Sequence, residues 1–202
     1  MARTPKVTED RREQILDAAL RVFARQGFAK ATNKEIAHEA GITPGLIYYY
    51  FESKEALLKA LLEARSPVRL IESLPPEAQA LPPAAFLRMM GRQALALMEG
   101  EEMSSLIRIM LSEMLHTPDF PPIVALFVGR AIGALTSYLE AKVQSGEIRQ
   151  LDTQLLAQIF AGSLMSFVLR RHILRDPLAL ALSQEQVVDA IVDTVLQGIA
   201  PR

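Results

Sequence analysis

The most conspicuous chemistry in the chain is a row of three tyrosines, Tyr48, Tyr49 and Tyr50. A phenol donates, accepts and stacks, so such a row on a short helix suits phosphates and bases better than a packed core. Two Glu-x-x-His pairs come next, Glu35 with His38 and Glu113 with His116. That spacing sets a carboxylate and an imidazole on one helical face, as in di-iron helical bundles. Those bundles need further inward glutamates, however, and Glu35 stands three residues after Thr32, where a helix cap would use it. His172, beside Arg170 and Arg171, reads as an interface or surface residue. Gly-rich phosphate loops, Gly-x-Ser-x-Gly elbows and His-Glu-x-x-His helices are absent from the sequence, so no set of nucleophile, base and oxyanion donors is visible. Neither catalysis nor a metal or other cofactor is expected. An all-helical, di-iron-like metal-binding bundle is the alternative reading.

The elements that must position the tyrosines lie between Thr32 and Lys54. Thr32 and Glu35 form a capping box, which predicts a helix from Asn33, and Ala40-Gly41 predicts its end. Thr43 then caps a second helix whose first position is Pro44. Two short helices joined by so tight a turn are a helix-turn-helix. Ile36, Ala37 and Ala40 give the first helix an apolar side; Ile47 and Phe51, spaced i and i+4, give the second another. With those faces turned inward, Thr43, Gly45, Leu46, Tyr49 and Tyr50 face outward.

This stretch resembles the DNA-binding region of the TetR family of one-component transcriptional repressors. The resemblance is carried by Gly27-Phe28, Thr32, Ile36-Ala37, Ala40-Gly41-Ile42, Gly45, the run Ile47 to Phe51, and the run Ser53 to Leu57. It implies that Thr43, Pro44, Gly45, Leu46, Tyr49 and Tyr50 meet the major groove of operator DNA, while Asn33, Lys34, Tyr48 and Lys54 hold phosphates. Pro44 and Leu46 stand where many relatives carry polar residues. Hydrogen-bonded base readout should therefore be sparse, with backbone contacts weighing more. The resemblance also implies a homodimer made through the last two long helices.

Composition sets the outer bounds. At 202 residues and 50% hydrophobic content the chain can build a full core. There is no cysteine, and no basic-then-apolar leader, so a cytoplasmic location is expected. The apolar stretches near 123–139 and 155–169 are interrupted by Arg130 and Gln158, so neither is expected to span a membrane. Residues 1–65 hold 11 Lys+Arg against 9 Asp+Glu, and the rest holds 11 against 14. A surplus of +2 against −3 fits a small focused DNA contact better than a basic groove.

The elements around the motif complete an all-α fold. A helix should begin at Thr8, with Ile15, Ala19, Val22 and Phe23 as its stripe, and stop at Gly27. Ser53 should cap the next, striped by Leu57, Leu58, Leu61 and Leu62. These helices make an N-terminal three-helix helix-turn-helix domain over 1–65 and lead into a fourth. Prolines between 66 and 83 predict a stiff connector to a larger helical ligand-binding and dimerisation domain over 66–202. Its helices are expected near 84–99, 101–116, 121–145, 153–174 and 184–197. The fourth of these is apolar nearly all round and rich in small residues, including Ala157, Ala161, Gly162, Ser163 and Ser166, so it must be buried, within the domain or against a second subunit. Seven of eight methionines fall in this domain. Phe86, Met89, Met90, Met110, Met114, Phe127, Phe160 and Met165 are candidate linings for a small apolar, acyl or aromatic effector. Arg88, Arg92, Arg108 and Arg130 are the candidates to hold an anionic group on it.

Overall fold

The computed structural model describes residues 5–65, 74–114 and 120–199, and all regular structure among them is helical. The chain forms two compact units, Met1–Ser66 with Ser105–Ala125, and Pro67–Ser104 with Leu126–Arg202. The chain passes from the first unit to the second at 66/67, back at 104/105, and over again at 125/126. The return to the first unit is a long-range association that no local signal encodes.

In the first unit, α1 (Pro5–Gln26) packs on α2 (Asn33–Glu39) and α4 (Lys54–Arg65), and α2 packs on α3 (Pro44–Tyr50). Helix α1 begins three residues before the expected Thr8. Its stripe is fully buried: Ile15, Leu16, Ala19, Val22 and Phe23 are shut off from solvent, as are Ile36, Ile47, Leu57, Leu58 and Leu61. Arg65, at the end of α4, pairs with Glu13 at 3.0 Å and Asp17 at 2.6 Å, tying α4 to α1. Gly27 ends α1 at φ +82°, a conformation in which any side chain would be strained.

In the second unit, two prolines of the expected connector start helices. Pro76 opens α5 (Pro76–Gln79) and Pro83 opens α6 (Pro83–Met98), both at positions where no backbone donor is needed. The remainder of that connector, 66–73, lies outside the described residues. Helix α7 (Glu101–Met114) starts here and ends in the first unit, and α8 (Phe120–Gln144) starts there and ends here. Residues 115–119, with His116, lie outside the described residues. Val124–Gln144 of α8 is long and apolar enough to cross a membrane by length and composition, so Arg130 does not shorten the stretch as expected; an apolar helix of a globular protein meets the same criterion.

The core of this unit is the packing of α6 against α9 (Thr153–Val168) and α11 (Gln184–Ile199). Gly91 permits the approach: a Cβ there would lie 2.9 Å from a Val188 methyl. Phe86 stacks on Tyr138 at 3.6 Å, and the Tyr138 hydroxyl donates to the Leu81 carbonyl at 2.8 Å. Burial pushes that phenol's pKa well above its ordinary range. Helix α9 does not run on to 174 as one regular helix; it widens into a π turn, Leu169–Ile173. Asp176 then caps a short helix, α10 (Pro177–Ala181), through the Leu178 N–H at 2.9 Å. Asp176 also pairs with Arg170 at 2.6 Å, and that arginine holds its carboxyl below the usual range.

Within this single chain α9 is buried on one side. Ala157, Phe160, Leu164, Phe167 and Val168 are buried, but Leu155 and Ile159 are each about half exposed. They belong to a face bearing Gly162, whose Cβ position has no atom within 4 Å. Beside it, Ile159, Gly162 and Phe167 of α9 and Val187, Ala190 and Ile191 of α11 line an apolar groove.

Candidate nucleic-acid interface

The tyrosine-bearing helix is positioned by caps and by a two-residue anchor. The capping box of α2 is formed: the Glu35 N–H donates to the Thr32 hydroxyl at 3.3 Å, and the Thr32 N–H donates to the Glu35 carboxylate at 2.9 Å. The Thr32 hydroxyl, then Gln26, hold the Glu35 pKa below its ordinary value. Arg21 and Arg25 of α1 do the same for Glu39, pairing with it at 2.8 and 3.2 Å. Gly41 takes φ +63°, and the Ile42 N–H returns to the Ala37 carbonyl at 2.9 Å. Gln14 reaches from α1 to the Ala40 carbonyl at 2.6 Å, fixing the turn on the first helix.

From that turn, Thr43 and Pro44 launch α3, and Ile47 and Phe51 pin it to the core. Thr43 occupies the N-cap position, yet its side chain makes no cap bond, so the hydroxyl is not used internally. Thr43, Pro44 and Gly45 are exposed and Leu46 is half-buried. Tyr48 is 61% and Tyr49 73% exposed, far beyond what packing would leave on aromatic rings. These residues form one outward surface.

Two expected contacts change. Tyr50 shares its helical face with Ile47 and Phe51, at i, i+3 and i+4, and turns inward with them. Its hydroxyl is buried without a hydrogen-bond partner, and its ring meets Tyr49 edge-on at 5.2 Å. Tyr50 therefore supports Tyr49 instead of presenting a hydroxyl. Lys54 is diverted too. Its ammonium donates to the carbonyls of Phe28, Ala29 and Ala31 at 2.7, 3.1 and 3.0 Å, and lies 4.5 Å from the Phe28 ring centre. All three of its donors are committed inside the unit, which leaves none for a phosphate. Lys34 is exposed, and Asn33 is half-buried with its amide oxygen turned in.

Residues 15–61 match the family profile for bacterial regulatory proteins of the tetR family, and residues 85–198 that for the C-terminal domain of AefR-like transcriptional repressors. The chain belongs to the TetR family. Its members are helix-turn-helix transcriptional regulators, and this chain is one. Among curated relatives, SrpR of Pseudomonas putida, an HTH-type transcriptional regulator, is 46% identical over 66 residues, 32% of this chain and 31% of that protein. The match thus spans about a third of that relative's length. Two solved structures share the fold over nearly the whole chain. FadR of Bacillus subtilis, solved with stearoyl-CoA, has a TM-score of 0.75 at 22% identity, covering 93% of this chain and 98% of that one. SmeT, the repressor of the Stenotrophomonas maltophilia multidrug efflux pump SmeDEF, has a TM-score of 0.72 at 21% identity, covering 94% and 90%.

The expected effector residues of this TetR-family chain are divided between the two units. Met110 and Met114 belong to the first unit; Phe86, Met89, Met90, Phe127, Phe160 and Met165 belong to the second. Arg92 pairs with Glu185 at 3.0 Å, and Arg88 with Asp189 at 3.0 Å and with Asp193, so both are held by α11. Their spacing on α6 matches the acidic rows of α11, a pairing across 93 to 105 residues that sequence alone conceals. Arg108 donates to Ser105 on its own helix, and Arg130 is exposed. No group of three His, Asp or Glu able to hold a metal occurs among the described residues. Glu35 of the first Glu-x-x-His pair is engaged in its cap, and Glu113 of the second has a backbone partner, described below.

Proposed function

We propose that this regulator is a cytoplasmic, non-catalytic homodimeric repressor, released from a roughly palindromic operator by a small apolar, acyl or aromatic effector. The observation that carries DNA reading is α3 itself: Ile47 and Phe51 anchor it while Thr43, Pro44, Gly45, Leu46 and Tyr49 face out beside Tyr48. We assign those groups to the major groove, and Lys34, Tyr48 and the amide N–H of Asn33 to phosphates. The groove between α9 and α11 supports a dimer through these two helices, because two copies of one apolar face can cover each other about a two-fold axis. Two-fold protein symmetry calls for two-fold symmetry in the operator. The effector reading draws on FadR, solved with stearoyl-CoA, and on SmeT, which represses an efflux pump. Arg88 and Arg92 are committed to α11, so neither is assigned to an anionic group of the effector. Selection of bound duplexes from random DNA tests the first part: a palindromic consensus is expected, and recovery of no enriched sequence would refute it. Thermal-shift screening with acyl-CoAs and planar aromatics tests the second, since an effector must weaken operator binding by the same factor as operator weakens its own.

A further inference from the structure

Glu113 is the least expected carboxylate in the molecule. It is 95% buried, inside the first unit, and sits one residue from the end of α7. Its Oε1 accepts the N–H of Phe28 at 3.0 Å, in the turn that joins α1 to α2. Gly27 beside it is favoured by its backbone and crowded by the same carboxylate. Its φ of +82° strains any side chain, and a Cβ there would stand 3.0 Å from that same carboxylate oxygen. The turn is held from its other side as well, since Lys54 takes the carbonyls of Phe28, Ala29 and Ala31. Residues 27–31 thus lie between a carboxylate from α7 and an ammonium from α4, and they run directly into the Thr32 cap of α2.

We propose that Glu113 is a positioning residue for DNA reading, setting the α1–α2 turn and through it the placement of α2 and α3. The buried Phe28 N–H to Glu113 bond ties the last turn of α7 to the α1–α2 turn, so displacing one either carries the other or costs about one buried hydrogen bond. The positioning role rests on the DNA-reading proposal above and not on the effector.

The test uses the full chain and three variants. Glu113→Gln keeps the shape and an oxygen acceptor; Glu113→Asp shortens the reach by one methylene; Glu113→Leu removes the acceptor. Against the duplex enriched by the wild type, Glu113→Asp should bind about tenfold more weakly, the loss of about one buried hydrogen bond. Glu113→Gln should recover to within about threefold of wild type on the same scale. In hydrogen exchange, Glu113→Asp should lose protection at Phe28 and across residues 36–50 while the α6, α9 and α11 amides are unchanged. A merely structural carboxylate would lower protection in α1 and α4 as much as across residues 36–50. The proposal is overturned if Glu113→Asp loses Phe28 protection yet binds the duplex as wild type, or keeps protection across residues 36–50. If Glu113→Leu does not fold, the Asp and Gln pair still decides. If no duplex is ever enriched, the DNA-reading proposal fails, and exchange across residues 36–50 still judges Glu113.

Discussion

Lys54 offers the sharpest separation between what its position in the family motif suggests and what its geometry performs. Replacing it with Met keeps the stem and removes three charged N–H donors, at 2.7, 3.1 and 3.0 Å from their carbonyls. Hydrogen bonds from charged groups contribute about 1.5–3 kcal/mol each. The three share one ammonium, however, and the Ala29 bond is exposed, so water takes over part of the loss. The cation over the Phe28 ring adds about 0.5–1 kcal/mol. A net destabilisation of about 2–3 kcal/mol follows, and at about 5 °C per kcal/mol for a unit of this size the melting transition should fall by about 10–15 °C. Calorimetry reads that directly. The second measurement is the salt dependence of duplex binding, where each lost phosphate contact lowers the slope by about 0.9. Lys54→Met should leave the slope unchanged below its melting point. Unchanged melting together with a slope reduced by about one would refute the reasoning and return Lys54 to the phosphates.

Tyr49→Ala should weaken binding to the enriched duplex by about 1–3 kcal/mol while changing random-sequence binding far less, measured by competition titration. Gly162→Arg should convert the dimer to monomer in sedimentation without lowering the protomer's helicity, because the Cβ at 162 meets open space; a wild-type protein that is already monomeric at micromolar concentration would dismiss the interface. Glu35 is held below its ordinary value of about 4.5, so the stabilisation from its cap is complete above that pH and is lost as pH falls through the depressed folded value. Glu35→Gln should therefore flatten the acid limb of the stability profile, and an unchanged limb would show that the cap does not titrate with folding.

What could be read from the sequence was local. Thr32 with Glu35, Gly41, Thr43 with Pro44, and Ile47 with Phe51 lie within five residues of their partners, and each stands where its spacing placed it. The Asp176-Pro177 pair is an equally local signal, a cap followed by proline at the first position of α10. Tyr50 is local too: at i+3 from Ile47 its helical phase, not its residue type, turns it inward. Lys54 and Glu113 were not legible, because their partners lie 23–26 and 85 residues away. The π turn at Leu169–Ile173 leaves the apolar pattern intact and therefore gave no periodic warning.

The discontinuity of the first unit has a consequence for how the protein comes into being. Helices α1 to α4 leave the ribosome early, but Ser105–Ala125, with the carboxylate that grips Phe28, follows only after α5 and α6 have been made. Domains otherwise tend to fold from the N-terminus as they emerge, and here the earliest helices must wait for a late-arriving piece to close over them. A nascent chain halted near Arg65 carries the full reading surface without its lock. The first unit is therefore complete only once Ala125 has been made, well after its first four helices, and a chain halted earlier lacks the carboxylate that holds Phe28.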